Sequence, residues 1–193
     1  MTDLEIIKEL KVGLTGFEYV LQGDKAIGLS IPNQLNNDEV IDKYWDLITS
    51  LINLESLNLS WNQIADIQGL EDFINLKVLK ISNNTITKIE NLDSLVKLEE
   101  LWLYNNLISK IENLEKLTNL KRLYLANNRI TKIEGLDRLT KLQDLWISGN
   151  KITKIEGLET LINLRNLWID NTNIDIQDIK KYKDDHPEII VYS

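Results

Sequence analysis

The 193-residue chain has no cysteine, one histidine, two prolines and eight glycines. Without cysteine there is no disulfide framework, no thiolate metal site and no cysteine nucleophile. The single His186 excludes a multi-histidine metal centre, and any Ser-His-Asp site would rest on that one residue. Scarce proline and glycine exclude collagen-like and linker-like chains. No run of about 18 residues is free of charge, so no membrane-spanning helix is expected. Basic residues are outnumbered, 22 Lys and Arg against 30 Asp and Glu, a formal net charge of −8. That balance argues against nucleic acid and anionic membrane as main partners. The start, Met1-Thr2-Asp3-Leu4-Glu5, lacks the basic patch and apolar run of a secretory leader. A cytoplasmic protein without cofactor or metal is the expectation.

What is abundant is Leu (33), Ile (27) and Asn (21). They recur with a strict period of 22. Leu54, Leu76, Leu98, Leu120, Leu142 and Leu164 form one column; Leu57, Leu79, Leu101, Leu123, Leu145 and Leu167 form a second. Ile64, Ile86, Ile108, Ile130, Ile152 and Ile174 form a third. Asn62, Asn84, Asn106, Asn128 and Asn150 form a fourth, broken at Thr172. Repeats of this length point to a stacked solenoid, because no single unit can bury its own apolar face. Within each unit, a stretch such as Leu57-Asn58-Leu59 alternates as a strand does, and successive strands would pair in parallel about 4.8 Å apart. An interior Asn must be satisfied, which amides bonded to neighbouring turns would achieve. The outer side of so short a unit should be extended, with brief helical turns.

The unit L-x-x-L-x-[LI]-x-x-N-x-I-x-x-I-x-x-L-x-x-[LF]-x-x resembles a leucine-rich repeat of the short 22-residue type. It is similar to the repeats of the regulatory subunit of type-1 protein phosphatase, the leucine-rich dynein light chain and the internalins. The resemblance implies an α/β leucine-rich-repeat solenoid with a curved, parallel, concave β-sheet. It also implies partners bound on the concave face through aromatic and acidic residues, a phosphatase among the candidates.

A solenoid needs caps over its terminal coils. Leu4, Ile7 and Leu10 predict a helix over 3–11. Alternation of Phe17, Tyr19 and Leu21, a Gly23-Asp24 turn, then Ile27, Leu29 and Ile31 predict a β-hairpin whose second strand is the first rung. Asn36-Asn37-Asp38 reads as a helix cap, followed by a helix over 38–51 on the outer side. Residues 175–185 read as a helix stopped by Pro187, and 189–192 as a closing strand. The expected layout is one structural domain: an N-terminal cap (1–50), six repeats (51–174) and a C-terminal cap (175–193). His186 then falls at a helix end, where a loop role suffices.

Outward strand positions face solvent across the concave sheet. Their central column reads Asn58, Lys80, Trp102, Tyr124, Trp146, Trp168. Glu100, Arg122 and Asp144 stand in the column before it, Tyr104 and Asp170 in the column after. Three of five tryptophans therefore share one column, and the same column is polar in the first two repeats. Two readings compete. Neighbouring aromatics can stack and support coil-to-coil contact by roughly 0.2–1 kcal/mol per cross-strand pair. Alternatively, an apolar patch with a polar rim is a docking surface, and Trp, Tyr and Arg dominate interface hot spots. The docking reading makes Trp102, Tyr104, Tyr124, Trp146, Trp168, Arg122, Glu100, Asp144 and Asp170 the candidate partner-binding residues. Lys88, Lys110, Lys132 and Lys154 and the ladder Glu90, Glu112, Glu134 and Glu156 read as a solvated, self-neutralising flank. Trp61, in the turn after the first repeat strand, either extends the rim or covers the N-terminal coil.

The function that follows is a non-enzymatic, monomeric protein-binding module acting as a scaffold or regulatory subunit. The alternatives are a structural homo-oligomer and a secreted internalin-like adhesin. Catalysis by Glu100, Asp144 and Asp170 is disfavoured by the missing nucleophile motif, phosphate loop and pocket signal.

Overall fold

A computed structural model describes residues 1–35 and 38–193. Three-residue strands recur at the second Leu column: β3 (Ser56–Asn58), β4 (Val78–Lys80), β5 (Glu100–Trp102), β6 (Arg122–Tyr124), β7 (Asp144–Trp146) and β8 (Asn166–Trp168). Each pairs in parallel with the next, residue on residue, so every column of the sequence is a row across the sheet. Leu57 and its equivalents point inward with no exposed surface, as do Leu54, Leu76, Leu98, Leu120 and Leu142. Full burial of each such side chain stabilises by about 1.5–3 kcal/mol. One continuous core results, running from the N-terminal cap to the last coil.

The Asn column closes the bend after each strand. Asn106 donates from Nδ2 to Ile81 O of the previous coil and Leu103 O of its own, each at 3.1 Å. Its Oδ1 accepts the Ile86 N–H of the previous coil at 3.1 Å. Asn84, Asn128 and Asn150 repeat this pattern. Thr172 keeps one of these bonds, from Oγ1 to Ile169 O at 2.7 Å. On the outer side each coil makes two successive tight turns, such as Leu95 N–H to Leu92 O and Leu98 N–H to Leu95 O. These are single turns; the helices among the described residues belong to the ends of the stack.

At the N-terminal end, α1 (Asp3–Gly13) starts with a capping box in which Thr2 and Glu5 bond reciprocally. Its buried face is Ile6, Ile7 and Leu10; Leu4, expected inside, is exposed because Ile6 takes the inward place. β1 (Glu18–Gln22) and β2 (Lys25–Ser30) form the antiparallel hairpin, and β2 pairs in parallel with β3 as the first rung. α2 (Asp38–Thr49) buries Tyr44 and Ile48. The cap expected at Asn36-Asn37-Asp38 begins outside the described residues. At the other end, α3 (Ile176–Asp185) is capped by Asp175 and buries Ile179, while Ile176 stays exposed. β9 (Ile190–Tyr192) then adds to β8 in parallel, completing a nine-stranded sheet.

A second column shapes the rim just beyond the strands. Asn33, Trp61, Asn83, Asn105, Asn127, Gly149 and Asn171 all have positive φ, between 53° and 66°. The residue there turns the chain while its N–H still bonds the next coil, as Trp61 N–H does to Ser82 O at 2.9 Å. Asn and Gly tolerate this conformation; other L residues meet a penalty of roughly 1–2 kcal/mol. At Gly149 a Cβ would also lie only 2.1 Å from Asn127 Oδ1. Trp61 alone in this column is neither Asn nor Gly.

Candidate functional site

The parallel register brings the outward aromatics into a single stack. Trp102 and Tyr124 lie with ring centroids 3.9 Å apart, Tyr124 and Trp146 4.1 Å, Trp146 and Trp168 3.8 Å. Interplanar angles fall from 23° to 9° along the series. The stack continues to Tyr192 on β9, 4.5 Å from Trp168 at 4°. Tyr192 escapes the repeat count because the chain detours through α3 before returning to the sheet. At the other end Lys80 Nζ sits 4.6 Å from the Trp102 ring centre, a cation closing the first face. The column therefore runs cation, Trp, Tyr, Trp, Trp, Tyr, and its five rings span roughly 19 Å at the usual strand spacing.

This geometry decides which part of each ring faces outward. Rings on neighbouring strands lie nearly parallel at close to the strand spacing, so their faces meet and their edges point away from the sheet. Trp102, Tyr124, Trp146 and Trp168 are half-buried for that reason. Tyr192, with a neighbour on one face only, keeps 41% of its surface exposed. What the concave face offers is a row of aromatic edges, which carry the positive end of the ring quadrupole. Burial raises the Tyr124 phenol above its ordinary range, the Glu100 charge adds to that, and Arg122 opposes it. Tyr104 lies at the flank, its ring tilted against Trp102 at 6.3 Å.

The charged candidates are brought together, but they are spent on one another. Arg122 bridges two neighbours: its Nη1 bonds Glu100 and its Nε lies 3.4 Å from Asp144. The Glu100 charge raises the Arg122 pKa further above its ordinary value. Glu100 also accepts the Trp102 indole N–H at 3.2 Å, and Asp144 accepts Asn166 Nδ2 at 2.6 Å. Asp170 accepts from the Ser148 hydroxyl and from Asn171 Nδ2. The row Glu100–Arg122–Asp144–Asn166 is thus a satisfied polar ladder beside the aromatic one. In the Lys and Glu columns, exposed Lys110 and Lys132 pair with half-buried Glu112, Glu134 and Glu156 at 3.3 to 4.0 Å. His186 caps α3, packs with its ring tilted against Tyr182 at 4.4 Å and lies 3.4 Å from Glu188.

Among the described residues no group of three or more His, Asp or Glu is placed to hold a metal ion, and no helix is long and apolar enough to cross a membrane.

The chain is similar to several solved solenoids. An internalin (inlF) from Listeria monocytogenes superposes with a TM-score of 0.72 at 25% identity, covering 98% of this chain and 54% of its own. The chain thus spans about half the length of that relative. Internalin C2 (inlC2) of the same organism gives 0.61 at 26% identity, covering 89% of this chain and 86% of its own. An LRR protein of Leptospira interrogans, LIC12759, gives 0.60 at 24% identity over 76% of this chain and 45% of its own, a likeness of fold. A comparison with curated protein sequences gives no match. The model for leucine-rich repeats in two copies matches five overlapping times, at 52–94, 74–116, 96–138, 118–160 and 140–181. With strand register, Asn bends and matched repeats in agreement over most of its length, the chain belongs to the leucine-rich repeat family.

Proposed function

We propose that the chain is a non-enzymatic protein-binding module that grips one partner protein in its concave face. Its place is the cytoplasm, as a scaffold or regulatory subunit. The observation that carries this is the row of aromatic edges from Trp102 to Tyr192, set in the middle of an open sheet. Repeat solenoids use this concave surface for extended contact. The flanking charges fit the same reading: Arg122 pairs with both Glu100 and Asp144, so a partner meets an apolar stripe with a satisfied, slightly acidic polar margin. Carboxylates already engaged in hydrogen bonds are poorly set for acid–base work, which favours binding over catalysis.

The test must separate binding from folding, because the rings support one another. Trp146→Phe with Trp168→Phe keeps a stacked ring at each position and shortens the outward edge. Pulldown from the native lysate, with identification by mass spectrometry, should lose the partner taken by wild type, while the melting temperature falls by only a few degrees. Unchanged capture of that partner would sink the proposal. A second reading, a secreted adhesin of internalin type, is favoured by the likeness to the two internalins. Fractionation of the native cell separates the two, the adhesin appearing in the medium or at the surface.

A further inference from the structure

We propose that Trp61 is a partner-contact residue that takes a basic side chain, Arg or Lys, of the bound protein on its open ring face. Three observations converge on it, and each is a disadvantage to the isolated chain. First, Trp61 holds φ at +61° in a column where the other coils place Asn or Gly. Bulky side chains are outliers in that region, and such strain persists where it serves a function.

Second, Trp61 cannot make the side-chain link that the next two coils make. Asn105 donates from Nδ2 to Asn83 Oδ1, its neighbour in the column, at 2.7 Å. Trp61 is the neighbour of Asn83 on the other side of the column, and an indole has no amide oxygen to offer as acceptor. With an indole there, Asn83 Nδ2 is buried without a partner. The adjacent Ser82, fully buried, also has an unpartnered hydroxyl. Third, 61% of the Trp61 surface is in water, although smaller residues serve the turn elsewhere in the stack.

The commitment to a basic group rests on charge. The chain carries −8, and Trp is the best aromatic acceptor of a cation. Cations of the chain cover Tyr19, Tyr44 and Trp102. Among the described residues none lies over Trp61, and Lys80 is already engaged on Trp102. The inference takes its partner from the concave-face reading, but its physical premises stand apart from it.

Trp61→Asn tests both. Relief of strain and repair of the Asn83 bond should raise the melting temperature by roughly 3–6 °C. A melting temperature that falls would overturn the premise that Trp61 burdens the fold. For binding, the five indole N–H signals are followed by NMR, with Trp61 assigned as the one lost in the variant. The probe is an octa-arginine peptide, with an uncharged Gly-Ser octapeptide as control. The Trp61 signal should move most with octa-arginine and stay put with the control, and the variant should bind the peptide about fivefold more weakly. An unmoved Trp61 signal, or a shift from the uncharged peptide as large, overturns the cation assignment. Movement confined to the signals of Trp102, Trp146 and Trp168 would do so too, while leaving the concave-face reading intact.

Discussion

Trp146 is the interior member of the aromatic column, and its truncation measures what stacking contributes. In Trp146→Ala the rings of Tyr124 and Trp168, at 4.1 and 3.8 Å, both lose a face. Each stacked pair contributes about 0.5–1.5 kcal/mol beyond area burial. Two pairs therefore account for about 1–3 kcal/mol, and the half-buried ring for about another 1–2 kcal/mol. A chain of this size loses about 2–4 °C of melting temperature per kcal/mol. The expected fall is roughly 5–15 °C, read by circular dichroism and calorimetry. Tyr192→Ala, which removes one stack at 4.5 Å from the exposed end, should lose less than half as much. Trp146→Phe should recover most of the loss. Stacked indoles also couple excitonically, so the far-ultraviolet couplet of the Trp146–Trp168 pair should collapse in Trp146→Ala and Trp146→Phe alike. A Trp146→Ala protein melting within about 2 °C of wild type, with its couplet intact, would refute the claim that the column is one coupled unit.

The other expectations need less development. Asn106→Ala orphans Ile86 N–H, while Ile81 O and Leu103 O each lose one of two amide donors and keep Asn84 and Asn128. At about 1–3 kcal/mol for that one buried orphan, urea unfolding should show about 1–3 kcal/mol lost. Thr172→Ala, removing one bond from Ile169 O, should lose about 1 kcal/mol. Arg122→Ala leaves Glu100 and Asp144 unneutralised, but Arg122 is 46% exposed. The loss should stay below about 1 kcal/mol and shrink in high salt, as paired melts at two ionic strengths will report. Tyr182 is pushed up to about 12 from 10.0, first by burial, then by Glu188 and Glu159. A folded-state pKa above the unfolded one means stability that is whole below pH 10.0 and lost as pH rises toward about 12. Tyr182→Phe should therefore flatten the alkaline fall in melting temperature across that window.

How much of this was legible beforehand follows from what a period encodes. A strict 22-residue repeat makes every column a row in the sheet, so the inward Leu positions, the Asn bends and the outward Trp column could all be read from spacing. Rotamers do not follow from spacing. Whether Trp146 and Trp168 lie flat on the sheet, faces open, or stand in a stack depends on side-chain torsions, and the structure stands them up. That changes the chemistry on offer from ring faces to ring edges. Nor does spacing reveal who satisfies whom: Glu100, Arg122 and Asp144 looked like free contact groups until their mutual bonds were visible. Tyr192 fell outside the columns because it follows Trp168 by 24 residues rather than 22. The predicted strand at 189–192 held the missing signal, since laying it in register on β8 puts Tyr192 opposite Trp168. Trp61 shows the converse. Its column of Asn and Gly was visible in the sequence, but the meaning of an exception there depends on backbone handedness, which composition does not carry. A repeat thus exposes function most sharply where one copy departs from the others against its own stability. By that measure Trp61 is a stronger lead than the stacked tryptophans, whose mutual support alone gives the chain reason to keep them.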